Sequence, residues 1–284
     1  MNDAEALKKL QDTELEILLM LDGFCKKYDI EWFMDSGTAL GAMRHEGFIP
    51  WDDDIDIAMM RKEYDRFIEL ASTQLPEGYT LQTFTNNEAF AGQFAKIYKT
   101  GTAFHTKETI EAGCDQGIFV DIFPYDELAK DEAERARQLK TGRTWQSLSY
   151  LYHSKTITVP HKGFLGLCER AACYLAHYVV HALFKRDAIK AHFDTAIEFK
   201  GEGSGEYIIM SWTSMKPCSR EVMMPTSTAT FCGYELPVPA RPDEYLTNMY
   251  GDWRQIPAPE DRRTHLPELL QFADGTSWRA GGAA

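Results

Sequence analysis

Apolar positions at the start of the chain recur with helical spacing. Leu7, Leu10, Ile17, Leu18, Leu21, Cys25 and Tyr28 form one stripe, so the N-terminus predicts a long amphipathic helix ended at Asp29. Residues 31–34 predict a short strand that runs into Asp35-Ser36-Gly37-Thr38, a turn of small residues before a helix start at 39–43. Another helix over 61–71 places Tyr64, Phe67, Ile68 and Ala71 inward. Strands are expected over 79–84, 94–98 and 102–105, broken at Asn86-Asn87 and Lys99-Thr100-Gly101, with a further strand over 207–212. Residues 131–154 carry a charged helical pattern, and the proline-rich tail from 231 predicts extended chain wrapped over the domain. No internal repeat or low-complexity linker divides the sequence. The pattern predicts a single α+β domain over 1–284, with a mainly helical insertion at about 131–200 and an extended C-terminal wrap at about 231–284.

One segment breaks the usual separation of charge from apolar strand. In Asp54-Ile55-Asp56-Ile57 acids alternate with branched apolar residues, so an extended strand sends both carboxylates to one face and both isoleucines into the core. Side-by-side carboxylates resist ionising together unless a cation lies between them, and a hard divalent ion such as Mg²⁺ is the natural complement. A solvated acidic loop is disfavoured by the apolar run Ile57 to Met60, and a calcium loop by Ile57 at the position where its sharp turn needs glycine. In Gly117-Ile118-Phe119-Val120-Asp121-Ile122-Phe123 a lone acid again sits in an apolar run, and burying it requires compensation that a shared metal supplies; a capping or salt-bridged aspartate is the alternative.

Composition narrows the partners. A net charge of −13 over 284 residues disfavours non-specific nucleic-acid binding and fits an anionic substrate held by local bases and a metal. The polar, helical start lacks the pattern of a signal peptide and predicts a cytoplasmic protein, with the inner face of the membrane as the site of any membrane contact. Six scattered cysteines without a C-x-x-C pair predict reduced, mostly buried thiols. The apolar segment at 164–184 carries Glu169, Arg170, His177 and His181, which argues against a membrane span; a buried helix is expected, with interfacial contact beside Lys162, Lys185 and Arg186 as the alternative. Ser36, Gly37 and Thr38, at a helix N-terminus, offer N–H groups and hydroxyls to a phosphate. Lys96 can face the acidic strand, and Arg262, Arg263 and His265 can meet a phosphate from the tail.

These residues together resemble the LicD family, which includes the fukutin-type proteins, within the nucleotidyltransferase-fold superfamily. The superfamily pattern of a glycine turn, an acid-x-acid strand and a later third acid appears as Gly37-Thr38, Asp54-Ile55-Asp56 and Asp121. More specific are GTALGAMRHEGFIPWDDDIDIAM at 37–59, GIFVDIFPYD at 117–126, and a tail with FCGYELPVP, EYLTNMYGDW and a following histidine, His265. The chain departs from the family at Tyr98, where an arginine is common, so a second phosphate-binding base is either missing or replaced by Lys99 or Arg44.

The resemblance implies a nucleotidyltransferase-like mixed β-sheet flanked by helices, and a reaction to match. A phosphorylated alcohol, phosphocholine-like or a polyol phosphate, would pass from a CDP-activated donor to a hydroxyl of a glycan or lipid-linked glycan, releasing CMP. Asp54, Asp56 and Asp121 would hold Mg²⁺ or Mn²⁺, with Asp121 or Asp54 taking the acceptor proton. Ser36, Gly37, Thr38, Arg44, His45, Trp51, Lys96 and His265 would bind substrate, and Trp51, Trp212, Tyr207 and Tyr234 offer faces to a quaternary ammonium. Nucleotidyl transfer with pyrophosphate release, and a non-catalytic nucleotide- or metal-binding member, are the alternatives.

Overall fold

The N-terminal stripe forms α1 (Asp3–Tyr28), opened by a reciprocal cap between Asn2 and Glu5 and closed at Asp29, whose backbone turns left-handed at φ 53°. The computed structural model describes residues 1–155, 163–211, 215–262 and 266–281. Strand β1 (Phe33–Met34) leads into α2 (Ser36–His45), and β2 (Asp56–Met60) into α3 (Arg61–Gln74). Then come β3 (Tyr79–Thr83), β4 (Ala95–Lys99), β5 (Ala103–His105), α4 (Lys107–Ala112) and the long β6 (Phe119–Ala129). Helices α5 (Glu132–His153), α6 (Gly163–Leu183) and α7 (Arg186–Ile197) make up the helical insertion. The chain returns as β7 (Gly203–Ile208), β8 (Cys218–Ser219), α8 (Arg220–Met223), the hairpin β9 (Ser227–Phe231) and β10 (Tyr234–Val238), and α9 (Pro242–Tyr250). Strands β11 (Leu269–Gln271) and β12 (Ser277–Arg279) close the described chain, β11 pairing with β5 on one side and with β12 on the other.

The fold is α+β around a mixed sheet whose main path runs β1-β2-β6-β4-β3, with β7 and β8 joined to β6. Strand β6 runs parallel to β2 and antiparallel to β4 and β7. Helix α1 packs against β4 and β6, and α3 against β2 and β6. Leu10, Ile17, Leu18, Leu21, Ile57, Phe67 and Ile122 are fully buried between them. Arg61, at the start of α3, ties that helix to β6: its Nε donates to Asp126 Oδ1 at 2.6 Å and its Nη2 to Oδ2 at 2.9 Å. Gly41 lies where the chain crosses over α2, and a Cβ there would stand 2.5 Å from the Gly47 carbonyl oxygen. That crossing delivers the acidic run back to the start of β2.

Three expectations are corrected. The segment at 164–184 is helical but not buried: α6 touches α5 on one side and leaves Phe164, Leu175 and Leu183 at 82%, 66% and 69% exposure. Its composition is that of a core helix, yet among the described residues its outer side stays exposed. Among the described residues no helix is long and apolar enough to cross a membrane. The tail is not extended throughout, because Pro242 occupies the first turn of α9, where its missing N–H costs nothing and its fixed φ suits a helix. Tyr245 and Leu246 then anchor that helix in the core. The cysteines are all free, but only Cys25, Cys114 and Cys218 are buried, while Cys168 and Cys232 are exposed.

Candidate functional site

Register assembles the site. The parallel pairing of β2 with β6 sets Asp56 opposite Asp121, and the antiparallel pairing of β4 with β6 sets Lys96 opposite Asp121. Residues directly opposite leave the same face of a sheet, so Asp56, Asp121 and Lys96 stand in one row across three adjacent strands. The Asp121 N–H donates to the Ile55 carbonyl at 2.9 Å, which extends the pairing back toward Asp54. Ile55 and Ile57 are completely buried, as their alternation with the acids requires. Asp54 is the strongest charged neighbour of Asp56 and also acts on Asp121. Among the described residues, however, the acids whose carboxylate oxygens lie within 4.8 Å of one another are Asp52, Asp53 and Asp54, and not the expected set of Asp54, Asp56 and Asp121.

Local hydrogen bonds lock the row. Lys96, buried with its ammonium 3.3 Å from the centre of the Phe119 ring, donates to Asp121 Oδ1 at 2.6 Å. The Thr38 hydroxyl accepts the Asp56 N–H at 2.8 Å. Beneath Asp56, fully buried Asp35 gives its N–H to the Asp56 carbonyl at 3.0 Å and accepts from Tyr125, Tyr245 and the Ser36 hydroxyl. The Ser36 N–H donates to Tyr245 Oη at 3.1 Å, and Ser36 itself has φ +46°. The polar groups of Ser36 and Thr38 thus run inward and position the acids. Gly37 is needed because a Cβ would meet Asp52 Oδ2 at 2.9 Å. Helix α2 has no side-chain cap at its N-terminus, so the N–H groups of Gly37 and Thr38 lie at an uncapped helix end.

At the other end of α2, Arg44 gives its Nη1 to the carbonyls of Trp253 and Gln255 at 2.8 and 3.3 Å and its Nε to His45 Nε2 at 3.0 Å. Accepting that bond leaves the His45 proton on Nδ1, and burial together with Arg44 holds its pKa below the usual range. Trp51 lies edge-on to His45 and carries the Arg262 guanidinium 4.5 Å above its ring. These four residues form a basic and aromatic rim just ahead of the acidic run. Lys99, the other replacement considered for the family arginine, pairs with Glu16 instead. His265 and Trp212 lie outside the described residues.

The acids are more numerous than the alternating pair. Asp52, Asp53 and Asp54 each present a carboxylate oxygen within 4.8 Å of the others. From α1, fully buried Glu14 lies in their field, outside that distance, and neither of its carboxylate oxygens has a hydrogen-bond partner among the described residues. The sequence signal was available: Glu14 interrupts the apolar stripe, one turn from Leu10 and from Leu18. Burial and then mutual repulsion push Asp52 up to about 8 and raise Asp56 and Glu14 strongly, while Asp121, buried but relieved by Lys96, rises to about 6. The set consists of hard oxygen donors with an orphaned carboxylate, which fits Mg²⁺ or Mn²⁺ and not a thiolate-seeking ion. Beside Lys96 opens a cavity of about 390 Å³ lined by Phe90, Phe94, Phe104, Phe119 and Tyr150. A larger cavity, about 640 Å³, lies between α3, β3 and α7, and none of the acids of the row lines it.

The raised carboxyls set a pH dependence whose sign is fixed. Their folded pKa values exceed the unfolded ones, so between about pH 4 and about pH 8 the folded protein holds more protons than the unfolded chain. Their contribution to stability is complete below the unfolded pKa and is lost as pH rises through the folded one. In buffer containing chelator, the thermal midpoint is expected to fall as pH is raised from about 5.5 to about 8.5, and Asp52→Asn to flatten the slope. A midpoint that climbs over this range would show that the acids are not in one another's field.

Similarity to known proteins follows the same residues. The family model described as LicD/FKTN/FKRP, nucleotidyltransferase domain, matches residues 29–172. Lipopolysaccharide cholinephosphotransferase LicD of Haemophilus influenzae is 28% identical over 268 residues, covering 90% of this chain and 95% of that protein. An uncharacterized protein of Rickettsia typhi is 39% identical over 56 residues, 20% of this chain and 18% of that protein. Another, from Rickettsia prowazekii, is 40% identical over 55 residues, 19% of this chain and 21% of that protein. Because the matched region takes in the glycine turn, the acidic strand and the third acid, and spans half of the sequence, the chain belongs to the LicD family.

Proposed function

We propose that this protein transfers a phosphorylated alcohol, phosphocholine or a polyol phosphate, from a CDP-activated donor to a hydroxyl of a glycan or glycan precursor. The observation that carries the reading is the row of Asp56, Asp121 and Lys96, with Asp54 beside it, in a chain similar to a cholinephosphotransferase over nearly its whole length. The acceptor oxygen attacks the phosphorus that bears the alcohol; the bond from that phosphorus to the CMP oxygen breaks, and CMP leaves with the electron pair. Asp121 or Asp54 receives the acceptor proton. Asp54, Asp56 and Asp121 would hold Mg²⁺ or Mn²⁺, which supplies charge neutralisation to the diphosphate. Lys96 contributes a fixed positive charge, and the N–H groups of Gly37 and Thr38 offer an anion site at the start of α2. The rim of Arg44, His45, Trp51 and Arg262 faces a −13 protein's anionic substrate with local positive charge. The aromatic cavity beside Lys96 suits a quaternary ammonium head, which is held by ring faces without hydrogen bonds.

The acceptor is met at a membrane surface on this reading. The outer side of α6 presents Phe164, Leu167, Leu175, Tyr178 and Leu183 to solvent, while His177 and His181 fasten the helix to the Leu151 and Tyr152 carbonyls at 2.7 Å each. An apolar helix face of this kind, on a helix that does not combine the length and apolarity of a span, lies in the headgroup region of a bilayer. That contact would bring the acidic row to a lipid-linked glycan.

Two experiments test these statements. Protein with Mg²⁺, lipid-linked glycan and one of CDP-choline, CDP-ribitol, CDP-glycerol or CTP should release CMP from a CDP-alcohol, with CDP-choline preferred. Asp56→Asn should lower that rate at least about a hundredfold without unfolding the protein. Pyrophosphate from CTP would establish nucleotidyl transfer in its place, and a folded protein that turns over none of the four would establish a non-catalytic member. In co-sedimentation with anionic vesicles, Leu175→Glu with Val179→Glu should cut binding about tenfold; equal binding by both proteins, or a dimer that these changes dissolve, would reject the membrane contact.

A further inference from the structure

Helix α1 carries one side chain that its packing does not require. Glu14 lies on the buried face at 0% exposure, and neither carboxylate oxygen has a hydrogen-bond partner among the described residues. Gln11, one turn earlier on that face, donates from Nε2 to the Asp52 carbonyl at 2.9 Å, which holds this part of α1 against the acidic run. The charges that act most strongly on Glu14 are Asp54, Asp53, Asp52 and Asp121, all of its own sign. Neither ionisation state finds a hydrogen-bond partner among the described residues. An ionised carboxylate there lacks a donor and faces like charges, and a protonated one lacks an acceptor for its O–H. A core position one turn from Leu10 and Leu18 would be filled more cheaply by leucine.

We infer that Glu14 supplies a carboxylate oxygen, from the helix side, to the divalent cation that Asp54, Asp56 and Asp121 would hold, on the side where Asp52 and Asp53 lie. The inference rests on the metal-dependent reading above and adds a ligand that comes from outside the sheet and its loops. Oxygen atoms of Asp52, Asp53 and Asp54 already lie within 4.8 Å of one another. Glu14 stands outside that distance, one turn along the buried face from the Gln11 bond to Asp52, and has no hydrogen-bond partner among the described residues. The ligand class is a hard ion that accepts carboxylate oxygens, Mg²⁺ or Mn²⁺. The consequence is mechanical as well as chemical: cation binding would fasten α1 to the acidic run.

Titration with Mn²⁺ alone, read by electron paramagnetic resonance, tests this without reference to turnover. Wild type, Glu14→Gln, Glu14→Asp and Asp56→Asn are compared, with thermal midpoints taken in chelator. The expected result is that Glu14→Gln weakens Mn²⁺ binding by about ten- to a hundredfold, that Glu14→Asp retains part of it, and that Glu14→Gln raises the metal-free midpoint by removing repulsion. Glu14→Gln binding as wild type does while Asp56→Asn loses binding would overturn the role of Glu14 and leave the metal site standing. No binding by wild type would overturn both. A metal-free midpoint lowered by Glu14→Gln, with unchanged Mn²⁺ affinity, would make Glu14 a packing residue.

Discussion

Like charges held close on a poorly solvated surface repel, and the register of this sheet makes that proximity unavoidable. Carboxylate oxygens about 5 Å apart in an effective dielectric of about 20 repel by about 3 kcal/mol a pair. Were Asp52, Asp53 and Asp54, within 4.8 Å of one another, all ionised, their repulsion would rival the stability of an ordinary domain, about 5–15 kcal/mol, and Asp52, pushed up to about 8, avoids this by keeping its proton at neutral pH. Asp56, Asp121 and Glu14 add to the same field. Lys96 answers one of these charges, at Asp121. Protonation eases the repulsion on Asp52, Asp56 and Glu14, whose carboxyls are all raised, and a bound cation would do the same on the reading proposed above.

Much of the surrounding structure keeps the acids from moving apart. Thr38 fixes the first N–H of β2, and Asp35 with Tyr125 and Tyr245 anchors the neighbouring strand end and the turn into α2. The small residues serve proximity: Gly37 lets the Asp52 carboxylate lie against α2, and Gly41 lets the returning loop cross it. Helix α9 enters the same network through Tyr245, so a segment far along the chain helps to hold the ledge. Repulsion among the acids is thus opposed by hydrogen bonds made through the backbone and through Thr38, Asp35, Tyr125 and Tyr245.

What the sequence disclosed was local. Alternation of Asp54 and Asp56 with Ile55 and Ile57 specified two faces before any coordinates, and the lone acid in the apolar run at Asp121 marked a second strand of the site. The pairing of Asp56 with Asp121 and Lys96 is a matter of register between distant segments, which periodicity does not encode. Glu14 escaped notice because a single acid on an apolar helical stripe can snorkel to solvent, and only the fold shows that it does not. The turn at Ser36 and Thr38 revealed its composition but not the direction of its hydrogen bonds. Helix α6 was misjudged because hydrophobicity states that a surface avoids water without stating that a partner covers it. Pro242 was read as a breaker although at the first helical turn it is an initiator.

The central claim is that acids from separate strands share one divalent ion. Anomalous diffraction from crystals soaked in Mn²⁺ measures this directly. The account predicts a manganese peak within coordination distance, about 2–2.6 Å, of oxygens from Asp54, Asp56 and Asp121. A structure at high Mn²⁺ with no peak there, or with Asp121 bound solely to Lys96 and turned from the other two acids, would contradict it.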